Sequence, residues 1–402
     1  MEEILVERKA YLARLGKFRD TKLFKVITGI RRVGKSVLMR LFMRNLLELG
    51  VSEQNIIFIN FEILKYDTIR DYRALYQLIM DTLPPEGRNY IFLDEIQHVK
   101  QWEKAINSIR EETGADIYLT GSNAWMLSSE ISTLLSGRYV EVEVFPLSFK
   151  EYLDFELSGT PEERFNQYLK YGAFPAIPAL PQDNQTINNF LLGIYNTVIV
   201  KDVLSRQLVK DIKTFQQLVK FLAQNTGNYV SSSKISGFLT AEEKGEAVKS
   251  STISNYLDLL EKSFIIYPAY RYDIKGKELL KTLCKYYIVD TGLRNMLLGY
   301  GDTDLGHVLE TVVFFELRRR GYQVFCGKLY SGEVDFLAVR QDEKKYFQVA
   351  ATIMDTNTRE REMAPLLKIN DNYEKTILSL DRNYIGDFRG IKNRNLIDFL
   401  LE

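Results

Sequence analysis

Cysteine and histidine are almost missing from this chain of 402 residues, which has two of each. Cys284 and Cys326 stand in no CxxC or Cys/His spacing, which argues against zinc and fits a reducing compartment. His98 and His307 have no third ligand near them in sequence and read as caps or surface residues. Neither sign of charge dominates, with 53 Lys+Arg against 53 Asp+Glu, so any attraction to nucleic acid or a membrane has to be local. No run of about 18 apolar residues occurs. The opening "MEEILVERKAYLARLGK" is an amphipathic helical pattern that lacks the basic start and apolar core of a signal peptide. A soluble, cytoplasmic protein without a membrane partner is the expectation.

What is present is core-forming sequence. Apolar residues make up 46% and charged residues 26%, and a chain of this length holds two or three cores rather than one. "FKVITGIRRVGKSVLMRLFMRNLLELG" reads as an apolar strand, a glycine-bounded loop and a helix. Gly29 to Ser36 within it match G-x-x-x-x-G-K-[ST]. The backbone of Gly29, Ile30, Arg31, Arg32, Val33 and Gly34 would curl round phosphates. Lys35 would reach the β and γ oxygens, Ser36 would ligate Mg²⁺, and Val37 continues the helix whose N-terminus faces the anion.

Two more apolar strands follow, "NIIFINFE" and "NYIFLDEIQHV", the second ending in Asp94 and Glu95. At a strand's carboxyl end Asp94 can hold the Mg²⁺ water shell and Glu95 can orient an attacking water, although a solvated strand end gives the same pair. The next strand, "ADIYLTGSNAWML", exits into polar residues. Ser122 or Asn123 there can touch the γ-phosphate or the water, or cap the following helix. In "LLSGRYVEVEVFPLSFKEYL", Arg138 is either a phosphate contact, in its own or a neighbouring subunit, or a surface ion pair.

Beyond the Pro-rich "YGAFPAIPALPQDN" the pattern turns helical. Two helices, a Ser/Thr-capped helix and two strands joined at Lys275, Gly276 and Lys277 follow in helix-turn-helix order. Residues 201–300 carry 15 Lys+Arg against 10 Asp+Glu, a modest excess. Lys249, Ser251, Asn255, Lys275 and Lys277 are candidate DNA contacts, but Asp258 and Glu261 on the same helix would repel phosphate. A module used only for packing fits equally. In the last hundred residues a helix bearing Glu310 and Glu316 precedes strands "GYQVFCG", "GEVDFLAV" and "KYFQVAAT", the order of a PD-(D/E)xK nuclease. Either glutamate can be the helix acid, and Asp335 the strand carboxylate. Gln348 keeps an oxygen without the charge, and Ala350 stands where a catalytic lysine is needed. The expectation is a nuclease fold without competent chemistry, unless a lysine such as Lys328, Lys344 or Lys345 substitutes.

The set "GIRRVGKS", "IFLDEIQHV", "YLTGSNAWML", "LSGRYVEVEVFPLSFKEYL" and "YGAFP" resembles a prokaryotic family of AAA+-type P-loop ATPases with a C-terminal domain of unknown function. The resemblance implies an α/β chain in three parts. A parallel-sheet ATPase with N-terminal helix and helical lid would occupy 1–180, a helical winged-helix domain 181–300, and an inactive nuclease-like α/β domain 301–402. It implies ATP and Mg²⁺ as ligands, Lys35, Glu95, Ser122 or Asn123 and Arg138 in hydrolysis, and Glu310, Asp335 and Gln348 as the degenerate nuclease set. Nucleotide state would switch the C-terminal parts. An ATP-regulated DNA-binding module is the rival reading, an active Mg²⁺-dependent nuclease a third, and DNA, a protein or a second subunit are the candidate partners.

Overall fold

Four short apolar runs and one alternating run of the N-terminal part become the parallel strands of one sheet. The computed structural model describes residues 6–121, 135, 137–155, 158–199, 209, 211–243, 247–300, 305–383 and 385–402. It divides into two units, Met1–Phe145 and Pro146–Glu402, where the sequence reading divides at 180 and 300.

In the first unit the strands are β1 (Phe24–Thr28), β2 (Ile56–Asn60), β3 (Tyr90–Asp94), β4 (Asp116–Thr120) and β5 (Tyr139–Glu143). Their order is β2-β3-β4-β1-β5, and every pairing is parallel. Strands β1, β3 and β4 are buried at every position. That explains why they read as unbroken apolar runs rather than alternating ones, since helices cover both faces of a parallel sheet. Helices α1 (Lys9–Lys17), α2 (Lys35–Glu48), α3 (Tyr72–Thr82) and α4 (Trp102–Thr113) supply that cover. Phe42 of α2 meets Tyr118 of β4 at 5.2 Å between ring centroids, and Tyr118 stacks on Phe92 of β3 at 4.6 Å. Because β4 lies between β3 and β1, its carboxyl end falls between the Asp94 strand and the strand entering the P-loop.

At the opposite end of the same strands is a buried ion pair. Lys25 of β1 and Asp116 of β4 are in contact with no side-chain exposure. Asp116 also accepts hydrogen bonds from the Tyr118 hydroxyl at 3.0 Å and the Asp20 N–H at 2.9 Å. Burial lowers the Lys25 ammonium from its ordinary range, and Asp116 works against that shift.

In the second unit a nine-stranded mixed sheet runs β13-β14-β12-β11-β10-β9-β7-β8-β6. Its strands are β6 (Tyr229–Val230), β7 (Ile266–Asp273), β8 (Glu278–Ile288), β9 (Gln323–Lys328), β10 (Glu333–Arg340), β11 (Glu343–Val349), β12 (Glu374–Ser379), β13 (Gly386–Phe388) and β14 (Ile391–Asn395). Helices α5 (Phe149–Leu153), α6 (Pro161–Tyr171) and α7 (Asn184–Thr197) precede them. Then come α8 (Ile212–Gln224), α9 (Ser232–Glu243), α10 (Ser250–Lys262), α11 (Thr291–Leu298), α12 (Leu305–Arg319), α13 (Thr356–Leu367) and α14 (Leu396–Leu401). Helices α9 and α10 and the β7–β8 hairpin appear in the expected order. The hairpin does not stand free, however, because β7 pairs in parallel with β9 through Arg271–Cys326, Tyr272–Gly327 and Asp273–Lys328.

The "YGAFP" segment has a local reason. Gly172 has φ 85°, and a Cβ there would lie 2.1 Å from the Asp290 carboxylate. Asp290 caps α11 through the Leu293 N–H at 2.9 Å and takes the Ala173 N–H at 2.6 Å, so it ties that segment to α11. Burial pushes this carboxyl up to about 6.

Removing one partner of the Lys25–Asp116 pair strands a charge in the core. Asp116→Ala is expected to lower unfolding free energy by about 3–5 kcal/mol. The apolar double variant Lys25→Met/Asp116→Leu should recover most of the loss, both read by urea denaturation. Equal losses in the two proteins would show that the pair matters for something other than charge compensation.

Candidate nucleotide site

The loop between β1 and α2 wraps its own lysine. Gly29, Arg32 and Gly34 have φ values of 133°, 66° and 93°, and these positive angles coil the backbone. At Gly29 any side chain is excluded, since a Cβ would sit 2.3 Å from the Val144 carbonyl oxygen. The Lys35 ammonium donates to the carbonyls of Gly29 at 2.8 Å and Ile30 at 3.1 Å. From outside, the buried Arg8 braces the loop by donating to the Val33 carbonyl at 3.3 Å and to the Phe145 carbonyl at 2.9 Å. Sequence reading missed Arg8, whose signal was only an arginine in an amphipathic segment. Arg31 pairs with Glu62, just past β2, at 3.8 Å.

Asp94 is held from two sides. The Thr120 hydroxyl donates to its Oδ1, and the Asn60 amide donates to Oδ2 at 2.9 Å. The Ser36 side chain lies close to the same carboxylate. Burial raises the Asp94 carboxyl above its ordinary value, and Thr120 and Ser36 oppose that rise. Thr120 also accepts the Glu95 N–H at 3.0 Å. One hydroxyl at the end of β4 therefore positions both acids at the end of β3.

Glu95 is itself strained, with φ 55° in the left-handed region where a side chain is disfavoured. Gln97, on the single turn Ile96–His98, donates its amide to the Glu95 carboxylate. Glu62, Glu95 and His98 each bring a ligand-type atom within 4.8 Å of the others, the one such group among the described residues. His98 is exposed, in line with the surface reading, and stands at the site rim.

Lys35 and Ser36 lie close to Asp94, with Glu95 next to it in the chain. Ser122 and Asn123 lie outside the described residues. Arg138 is not brought to this site. It precedes β5, at the strands' amino ends, where its carbonyl accepts the Phe24 N–H and its guanidinium pairs with Glu111 at 2.9 Å. The P-loop leaves the other end of the sheet, so the ion-pair alternative holds for Arg138 within its own chain. Ser36 and Asp94 supply hard oxygen donors close to each other, the donor chemistry Mg²⁺ requires.

In the second unit Asp335 and Gln348 also meet. The Asp335 N–H donates to Gln348 Oε1 at 3.3 Å, and the Val349 N–H donates to Asp335 Oδ2 at 2.9 Å. Gln348 in turn donates to Glu362 at 2.8 Å. Glu310 is bound by the Tyr287 hydroxyl at 3.0 Å, by His307 at 3.1 Å and by the Lys285 ammonium at 3.4 Å. Glu316 instead pairs with Arg319 and Arg320, which separates the two helix glutamates. Burial and the Glu310 charge push Asp335 well above the usual carboxylate range.

Lys285 was not anticipated. It comes from β8, beyond β7 and β9, and also lies 3.4 Å from Glu333. Its signal was a lysine between Cys284 and Tyr286, in the half of the strand from Leu283 to Ile288 that otherwise runs apolar. None of Lys328, Lys344 and Lys345 contributes to this group: Lys344 lies over the Tyr272 and Tyr373 rings, and Lys345 pairs with Glu343.

Comparison with known proteins gives the chain its relatives. A family model described as an AAA domain matches residues 21–153, and a domain of unknown function (DUF8612) matches residues 162–304. An uncharacterized protein of Haemophilus influenzae is 41% identical over 407 residues, covering 100% of both chains. One from Methanocaldococcus jannaschii is 30% identical over 374 residues, covering 89% of this chain and 79% of its own. A Walker-type ATPase of Pyrococcus abyssi, solved as a structure, aligns with a TM-score of 0.51 at 17% identity over 74% of this chain and 97% of that one, a likeness of fold. No helix among the described residues is long and apolar enough to cross a membrane. The chain belongs to the family that includes the Haemophilus influenzae and Methanocaldococcus jannaschii proteins, and its N-terminal part is an AAA-type P-loop NTPase domain.

Proposed function

We propose that the first unit binds ATP and hydrolyses it, and that the nucleotide state switches the second unit. The observation that carries the reading is Asp94, held by Thr120 and close to Ser36 of the P-loop helix, with Glu95 beside it. Backbone N–H groups of Gly29 to Lys35 at the start of α2 would hold the phosphates. Lys35 would exchange its two carbonyl contacts for β and γ oxygens. Mg²⁺, held by the Ser36 hydroxyl and the Asp94 carboxylate, would neutralise charge on the phosphates. Glu95 then serves as the base. As a water oxygen bonds to the γ-phosphorus, Glu95 takes the water proton, the bridging P–O bond breaks, and ADP leaves with that electron pair.

The centre formed by Asp335, Gln348 and Glu310 is read as a holding rather than a cutting site. Ala350 offers no amine, and the nearby ammonium of Lys285 is committed to Glu310 and Glu333. In this reading the second unit is the output of the ATPase.

Lys35→Ala is expected to abolish ATP binding, measured by titration calorimetry on the full chain, and undiminished affinity would remove the P-loop assignment. Glu95→Gln should keep nucleotide affinity while turnover drops by a factor of about 10² to 10⁴. Retained turnover would put the base elsewhere. For the switch, amide hydrogen exchange of Glu95→Gln with ATP and with ADP should differ in peptides from 146–402. Identical exchange there would leave an ATPase without this output.

A further inference from the structure

Gln97 lies outside the P-loop and the acidic pair, yet its side chain is committed to the proposed base. Its amide Nε2 donates to Glu95, while its Oε1 is buried and has no hydrogen-bond partner. An amide can turn either way about its last bond, but here only one sense is favourable. The reverse would point Oε1 at a carboxylate and leave the NH₂ without an acceptor. Gln97 is therefore a one-sense donor. Leucine or methionine would fill the same space without stranding an acceptor, and burying an unpaired acceptor is unfavourable. What the carboxamide adds in return is the bond to Glu95.

Glu95 needs such a bond because its neighbours pull it apart. Ligand-type atoms of Glu62 and His98 both lie within 4.8 Å of the Glu95 carboxylate, the first repelling it and the second offering a partner on the exposed rim. The Thr120 bond holds the Glu95 backbone, and the Gln97 amide holds its carboxylate.

We propose that Gln97 is a positioning residue for ATP hydrolysis, its amide holding the Glu95 carboxylate in the orientation that receives the proton of the attacking water. The proposal rests on the hydrolysis reading above. Because Gln97 acts on the base and not on the phosphate loop, its loss should slow turnover and leave nucleotide binding alone.

The test compares the full-length wild-type chain with Gln97→Leu and Gln97→His, the second of which retains an N–H donor. Steady-state ATP turnover, ATP affinity by calorimetry and thermal melting are measured for each. Gln97→Leu is expected to lower kcat about tenfold or more, with ATP affinity and melting temperature near wild type, and Gln97→His should recover part of kcat. Unchanged kcat in Gln97→Leu would overturn the proposal. So would a raised kcat, which would make the amide a restraint on Glu95, or a parallel loss of affinity and melting temperature, which would make it a packing residue. Wild-type protein that binds ATP without turning it over would defeat the hydrolysis reading itself. Wild-type turnover with an unaffected Gln97→Leu would defeat only the role of Gln97.

Discussion

A buried carboxylate must be met by donors, and Asp94 is the place where that demand organises the first unit. At 1% exposure it cannot rely on water. It is instead satisfied by Thr120 from β4 and Asn60 from β2, with the Ser36 side chain of α2 close by. The two donors come from elements distant in sequence, so the acid fixes how the ends of three parallel strands lie relative to one another. Thr120 carries the same constraint one residue further by accepting the Glu95 N–H. Asn60 does so on the other side, where its Oδ1 accepts the Glu62 N–H at 2.8 Å and sets the path of the chain past β2. A site for charge transfer profits from donors already in place, because little reorganisation is then needed when charge moves.

The parts of this arrangement that are local in sequence were legible before the structure. Gly29, Gly34, Lys35 and Ser36 form one loop, and Asp94 and Glu95 end one apolar run. Each motif therefore states its own geometry. Asn60 was not legible as a site residue, since its role depends on strand order; Gln97 was missed although it stands two residues from Glu95, and Thr120 was read only as one of the polar residues at the exit of its strand. A threonine ending an apolar strand says nothing of its neighbour until β4 is known to separate β3 from β1. Between its two readings Arg138 could not be decided for the same reason. The residue type suited a phosphate, but strand direction placed it at the amino ends of the sheet, beside Glu111.

In the second unit the strand order "GYQVFCG", "GEVDFLAV", "KYFQVAAT" was legible, and so was the meeting of Asp335 with Gln348. Lys285 was not, because its side chain has to reach Glu310 and Glu333 from a strand two places beyond β9. The strands between carry Ala269 and Cys326, both fully buried and small. Burial pushes the Cys326 thiol up to about 12, although the Lys285 charge opposes it. That keeps the thiol protonated and inert, as its isolated position in the sequence implied.

The two polar centres follow opposite logic. Around Asp94 the donors are a neutral hydroxyl and a carboxamide, and the nearest cation is the P-loop lysine, bonded to backbone carbonyls. The carboxylate is oriented but not neutralised, so the arrangement can accept a divalent ion and respond to a phosphate. Around Glu310 a fixed ammonium already compensates the acid within hydrogen-bonding reach, and the Tyr287 hydroxyl and His307 occupy further lone pairs. Breaking such a compensated pair is costly. An acid held by neutral donors is poised for chemistry, whereas one held by a buried ammonium is poised to keep a shape. That difference is why the proposed turnover is assigned to the first unit and the proposed output to the second.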